Sequence, residues 1–162
     1  MNAATFAVGT DLVCISEFAQ QLSVPGTRFE AVFSATELRV ATRKGDSARR
    51  AEHLAGRWAA KEAFIKAWSQ ALYGRPPVVA ENDVDWQEIE VQPDAWGRVG
   101  LVLRGHIKES VAASLGDIRT SLSISHDGDY ATATVLLTVP NLVMSMEFLV
   151  TESNGFLDGE SR

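Results

Sequence analysis

Asp11, Glu62 and Lys66 are the residues with which this sequence could do chemistry. Asp11 stands in an apolar run, TFAVGTDLVCI at 5–15, where an unpaired carboxylate is costly to bury and a neighbouring cation would relieve the cost. Glu62 and Lys66 lie four apart in RWAAKEAFIKAW at 57–68, a spacing that places both on one helix face. At about 100° per residue, Leu54, Trp58, Ile65, Trp68 and Leu72 form an apolar stripe with Lys61 near its middle, and Glu62 and Lys66 run along its flank. Two readings fit. In one, Glu62 and Lys66 are an ion pair on a solvated helix and Lys61 lays its stem along the stripe. In the other, the small side chains Ala55, Ala59 and Ala63 let a backbone or a ligand come close, so the carboxylate and the amines line a cleft. Two lysines and an arginine near one carboxylate suit a site for phosphate and a metal ion.

The remaining reactive side chains say less. Ser125-His126-Asp127 has the residue types of a hydrolytic triad, but neighbours on a strand point to opposite faces and a triad is assembled from separated segments, so it is rejected. His53, His106 and His126 lack metal-ligand spacing, and His53 and His106 read as surface residues. His126 ends a strand at a tight turn, from which a side chain can reach a ligand. Cys14, the single cysteine, reads as strand packing and excludes an internal disulfide or a cysteine-based zinc site.

The elements that must position these groups can be read from pattern and punctuation. Residues 5–15 form a core strand with Gly9 and Asp11 on one face. Ser34-Ala35-Thr36-Glu37 has the form of a capping box, so a helix runs from about 34 to about 43. A longer helix spans roughly 47–73 and is stopped by Gly74 and Pro76-Pro77. Residues 85–92 and 98–103 read as strands joined through PDAWG, and 105–115 as a short amphipathic helix. A hairpin through Asp127-Gly128-Asp129 joins strands at 121–126 and 130–139. The sequence therefore describes an α+β domain over residues 1–139, an antiparallel sheet packed with one long helix and shorter ones, followed by a polar, acidic extension at 140–162 expected to be poorly ordered.

With 162 residues, 46% of them hydrophobic, the chain can fill one core of ordinary size. A net charge of −6 argues against nucleic acid as a partner. Its distribution is uneven: residues 39–66 hold eight basic and three acidic side chains, a balance of +5 that leaves −11 to the remainder. Such a patch is either a solvated helix face or a surface for an anionic ligand or an acidic partner. Lacking both a membrane-length apolar run and a leader-like amino terminus, the chain is expected to be cytoplasmic.

GTDLV at 9–13, FSATE at 33–37, RWAAKEAFIKAW at 57–68 and SISHDGDYATA at 123–133 resemble, in order and spacing, the holo-acyl-carrier-protein synthases, the small 4′-phosphopantetheinyl transferases. The resemblance covers about residues 6–137. It implies transfer of 4′-phosphopantetheine from coenzyme A to a serine of an apo acyl carrier protein, or of a carrier domain in a megasynthase, with release of adenosine 3′,5′-bisphosphate, in service of fatty-acid biosynthesis. It further implies that Asp11 and Glu62 hold Mg²⁺, that Lys66 meets the pyrophosphate, that Arg57 and Lys61 lie near the nucleotide, and that His126 lies near the adenosine 3′-phosphate. The serine would lose its proton to Glu62 directly or to Asp11 through water. The small class is homotrimeric with sites at subunit interfaces, which here would take Asp11, Glu62 and Lys66 from one subunit and His126 from the next.

Two positions depart from the family. Val13 stands where the larger monomeric relatives carry a second acid, which leaves water to complete the metal's coordination. SEFAQQ, following the first strand, supplies Glu17 where many members have a cation, so the basic cluster at 39–50 is expected to take over carrier docking. Asp11, Glu62 and Lys66 would equally suit a Mg²⁺-dependent phosphohydrolase acting on coenzyme A or a nucleotide, and the same fold could serve as a noncatalytic binding module.

Overall fold

A computed structural model describes residues 5–140. The element order is β1 (Thr5–Cys14), α1 (Ile15–Ser23), α2 (Ala35–Thr42), α3 (Ser47–Ala71), β2 (Ile89–Pro93), β3 (Val99–Leu103), α4 (Gly105–Leu115), β4 (Arg119–Asp127) and β5 (Tyr130–Val139). Two antiparallel sheets result, one ordered β1-β5-β4 and one formed by β2 and β3. This is the expected α+β fold of antiparallel sheets around one long helix. The extension expected at 140–162 lies, beyond Pro140, outside the described residues.

The alanines of α3 explain how the helix and the larger sheet meet. Ala59, Ala63 and Ala67 are fully buried, and Gly9 on β1 lies against the last two. A Cβ built on Gly9 would overlap the Ala63 carbonyl oxygen and lie 2.5 Å from the Ala67 amide nitrogen. The close approach anticipated for the alanine face is thus made by a strand backbone, and it requires glycine at position 9. Alternation along β1 then sends Ala7, Gly9 and Asp11 toward α3 and leaves Phe6, Val8 and Leu12 on the outer face, 64%, 50% and 63% exposed.

The capping box at the start of α2 forms in full: Ser34 accepts from the Glu37 amide at 3.2 Å and Glu37 returns to the Ser34 amide at 2.9 Å. Glu37 has a second task. Its carboxylate, fully buried, lies 2.9 Å from the ammonium group of the equally buried Lys61, and its other oxygen accepts from the Val91 amide at 3.0 Å. Lys61 directs its other two protons to the carbonyls of Trp86 at 2.8 Å and Ile89 at 2.6 Å. One ion pair therefore joins α2, α3 and the entry to β2.

That bond also explains why the strand expected from 85 begins only at Ile89. Trp86–Glu88 form a 3₁₀ turn instead, capped by the Asp85 carboxylate on the Gln87 amide at 3.0 Å, and the Trp86 carbonyl, bound to Lys61, is not available to a ladder. α1 follows β1 directly. Its N-cap residue, Cys14, makes no side-chain cap bond. Asp129 in the β4–β5 turn does so instead, accepting from the Ser16 amide at 2.9 Å and the Ser16 hydroxyl at 2.6 Å. Cys14 donates its thiol to the same carboxylate at 3.3 Å, so it is an accessory to that cap.

Candidate active site

β1 and α3 bring Asp11, Glu62 and Lys66 together. Asp11 lies opposite Ala133 of β5, and Thr132 holds the Asp11 carbonyl at 2.8 Å. Its side chain is only 9% exposed, and Oδ1 receives the Lys66 ammonium at 2.7 Å. The other oxygen, Oδ2, is buried without a hydrogen-bond partner. A desolvated carboxylate oxygen is unfavourable unless something else neutralises it. The hydrogen bond to Asp11, joined by the charges of Asp11 and Glu62, raises the Lys66 pKa, so the amine stays cationic through the neutral range.

Glu62, one turn before Lys66 on α3, is half-buried and lines two cavities. The smaller, about 170 Å³, includes Asp11, Glu17, Gln21 and Trp58 in its wall. The larger, about 790 Å³, is mostly apolar, with Lys66 near Glu62 and Trp68, Leu72, Val79 and Trp86 further along. Trp58 and Trp86 pack together with ring centroids 4.7 Å apart, one ring on each cavity. Carboxylates and an amine at the meeting point of a polar recess and an apolar cleft suit a ligand with a charged centre and a long weakly polar arm.

The donor set fits a hard divalent cation. Two carboxylates from different elements, one with an orphaned buried oxygen, are what Mg²⁺ takes from a protein while keeping several of its waters. Among the described residues no group of three or more acidic, histidine or cysteine side chains is placed to hold a metal by itself.

The other expected site residues lie elsewhere. Lys61 is corrected: it has no accessible surface and its protons are committed to Glu37, Trp86 and Ile89, so it cannot meet a nucleotide. Helix periodicity placed it rightly within the stripe, but its counter-ion comes from another helix. Arg57 lines neither cavity. Burial lowers its pKa against the opposing pull of Glu37. Beside it His53, read as a surface residue, has its Nε2 buried and unpartnered, and burial, with the charges of Arg57 and Lys44, holds its pKa down to about 3. His126 pairs with Glu52 at 3.1 Å. Glu52 precedes Glu62 by ten residues on α3, roughly 15 Å along the axis, so His126 is held at Glu52 and away from Glu62 of its own chain. Arg39, Arg43, Lys44 and Arg49 are exposed, and Arg50 is paired with Glu30 at 2.7 Å. Sequence reasoning missed Glu17, Gln21, Trp58 and Trp86 as wall residues. The available signal was the spacing of four between Glu17 and Gln21 directly after the strand that carries Asp11.

Known proteins share this fold and sequence over most of the chain. Residues 7–135 match the family model described as the 4′-phosphopantetheinyl transferase superfamily. The chain is 60% identical over 133 residues to a holo-[acyl-carrier-protein] synthase of Corynebacterium glutamicum, an alignment covering 82% of this chain and 98% of the relative. It superposes with a TM-score of 0.82, at 57% identity over 85% of this chain and 99% of the other, on an acyl-carrier-protein synthase in complex with coenzyme A from Chronobacterium ammoniagenes. With the acyl carrier protein synthase of Mycobacterium tuberculosis the TM-score is 0.64, at 37% identity over 85% of this chain and all of that one. On the four ordered motifs, the site they build and these matches over most of its length, the chain belongs to the 4′-phosphopantetheinyl transferase superfamily.

Proposed function

We propose that Asp11 and Glu62 hold the Mg²⁺ with which this holo-acyl-carrier-protein synthase moves 4′-phosphopantetheine from coenzyme A to the serine of an apo acyl carrier protein. The observation that carries the metal assignment is the buried, unpartnered Oδ2 of Asp11. When bound, the cation neutralises charge on the pyrophosphate. The chain's own groups do the rest. Lys66, kept cationic beside Asp11 and Glu62, offsets negative charge on the departing phosphate. The apolar cleft beginning at Glu62 and Lys66 takes the pantetheine arm and excludes water from it. Glu62 opens on both cavities and accepts the serine proton directly, or Asp11 does so through water. Alignment of the serine for in-line attack is then a matter of position.

His126 supports a homotrimeric assembly. Its partner Glu52 lies ten residues from Glu62 on α3, a separation that suits contact of His126 with coenzyme A bound at a neighbouring subunit, and Arg57 is assigned to the nucleotide at the same interface. The outer face of the β1-β5-β4 sheet, where Phe6, Val8, Leu12 and Leu136 are exposed, is the surface that such an assembly would cover. Arg39, Arg43, Lys44 and Arg49 form the basic face for the acidic carrier. Residues 1–139 act as the transferase domain, with 140–162 as an extension, and the enzyme works in the cytoplasm, in fatty-acid biosynthesis, on a free carrier or a megasynthase carrier domain. Among the described residues no helix is long and apolar enough to cross a membrane. The phosphohydrolase alternative finds no support, since the relatives that cover most of the chain are synthases.

Incubation of the protein with coenzyme A, Mg²⁺ and an apo carrier, followed by intact mass, tests the reading. The expected result is a carrier heavier by one phosphopantetheine. Consumption of coenzyme A with no gain on the carrier would restore the hydrolase.

A further inference from the structure

α1 brings a third carboxylate to the site. Glu17 and Gln21, one turn apart on the exposed side of α1, line the smaller cavity together with Asp11 and Glu62. Among its described lining residues there is no lysine, arginine or histidine. Lys66 opens on the larger cavity and meets Asp11 through Oδ1. Three acidic residues thus line one recess, and the carboxylate of one of them, the nine-tenths-buried Asp11, has an oxygen with no partner. Lys66 offsets part of this negative charge through Asp11 Oδ1, and a cation entering the recess would offset the remainder.

Helix electrostatics offers a second account of Glu17. It stands in the first turn of α1, where an acid is favoured against the helix dipole. That account predicts an effect on stability alone. It does not explain why the acid shares a polar recess with Asp11 and Glu62.

We propose that Glu17 is a third acidic group of the divalent-cation site, acting on the cation's water shell and not by direct coordination. The inference rests on the assignment of the cation to Asp11 and Glu62. As they stand, no three acidic, histidine or cysteine side chains among the described residues are placed to hold a metal directly. The recess, at about 170 Å³, has room for several waters beside an ion, and Mg²⁺ gives up its waters reluctantly. Glu17 accepts hydrogen bonds from that shell, and the Gln21 amide oxygen adds a neutral acceptor. Groups acting at this remove typically change metal affinity by about 10- to 100-fold when lost. Because Glu17 is exposed, its removal is expected at the lower end.

The test uses the full chain without coenzyme A and Mn²⁺ as the probe, with binding followed by solvent-proton relaxation. Glu17→Gln, which keeps shape and removes charge, should weaken Mn²⁺ binding about tenfold, while the metal-free melting temperature moves no more than helix capping allows. Asp11→Asn is the control for the underlying assignment and should abolish binding. If Asp11→Asn abolishes binding and Glu17→Gln binds as wild type does, Glu17 has no part in the site and the two-carboxylate assignment stands. If wild type fails to bind, or Asp11→Asn binds normally, both are wrong. If Glu17→Gln destabilises the metal-free protein and leaves Mn²⁺ affinity unchanged, the helix-dipole account replaces the proposal.

Discussion

Lys61 and Glu62 are adjacent in sequence and do opposite work. Glu62 opens on both cavities, whereas Lys61 is sealed against Glu37. Removing one member of a buried pair strands the other, so Lys61→Ala should destabilise the protein by about 3–5 kcal/mol in denaturant unfolding. Lys66→Ala, at a half-exposed amine paired with the mostly buried Asp11, should cost less stability than Lys61→Ala, because solvent reaches that pair, and should lower turnover. Reversal of that pattern would return Lys61 to the ligand site. Asp11 was legible from sequence because an acid in an apolar strand demands a cation. The role of Lys61 was not, because periodicity shows that a residue is inside but not what meets it there.

His53 carries a pH prediction at the same scale. Its pKa lies near 3 in the folded protein against an ordinary 6.5. Between those values the unfolded chain binds a proton that the folded one refuses, so stability falls as pH drops from about 6.5 toward 3 and is unaffected above that window. Denaturant unfolding at pH 7.5 and pH 5 should show this loss in wild type and a smaller one in His53→Asn. Equal losses would mean that His53 is accessible to protons in the fold.

Among the elements, the contact between β1 and α3 matters most, since it fixes Asp11 against Glu62 and Lys66. Gly9→Val would drive a branched side chain into the backbone of α3 at Ala63 and Ala67. Overpacking typically costs about 1–3 kcal/mol, and more where backbone must move. Transfer should therefore fall together with the melting temperature. Retained activity and stability would show that the helix can retreat without cost. The start of α2 and the β4–β5 hairpin were legible because capping and turn chemistry are local. The late start of β2 and the cap of α1 were not: the first depends on a lysine of α3 and the second on Asp129, across the turn that joins β4 and β5.

At the scale of the whole molecule, the sheet has an apolar outer face, and His126 is held at Glu52, ten residues from Glu62 on α3. If sites form between subunits, Glu62→Ala and His126→Ala proteins, each of low activity, should regain roughly a quarter of wild-type activity when refolded together in equal amounts, because about one interface in four joins two intact halves. No recovery in mixed oligomers verified by native mass would place the whole site within one chain. The expectation of such a division comes from the motifs, since GTDLV and SISHDG stand near opposite ends of the matched region. The charge pattern was legible too, but which arginines stay exposed depends on pairings such as Arg50 with Glu30.

The most direct test of the central claim, that Asp11 on β1 and Glu62 on α3 together hold the cation used for transfer, is the Mg²⁺ dependence of phosphopantetheine transfer in wild type and Asp11→Asn, read as intact carrier mass with folding checked by circular dichroism. The account predicts that wild-type transfer saturates with Mg²⁺ and stops in excess chelator, and that the folded Asp11→Asn protein transfers little at any Mg²⁺ concentration. Undiminished transfer in excess chelator, or a folded Asp11→Asn protein with the wild-type rate and Mg²⁺ dependence, would contradict it.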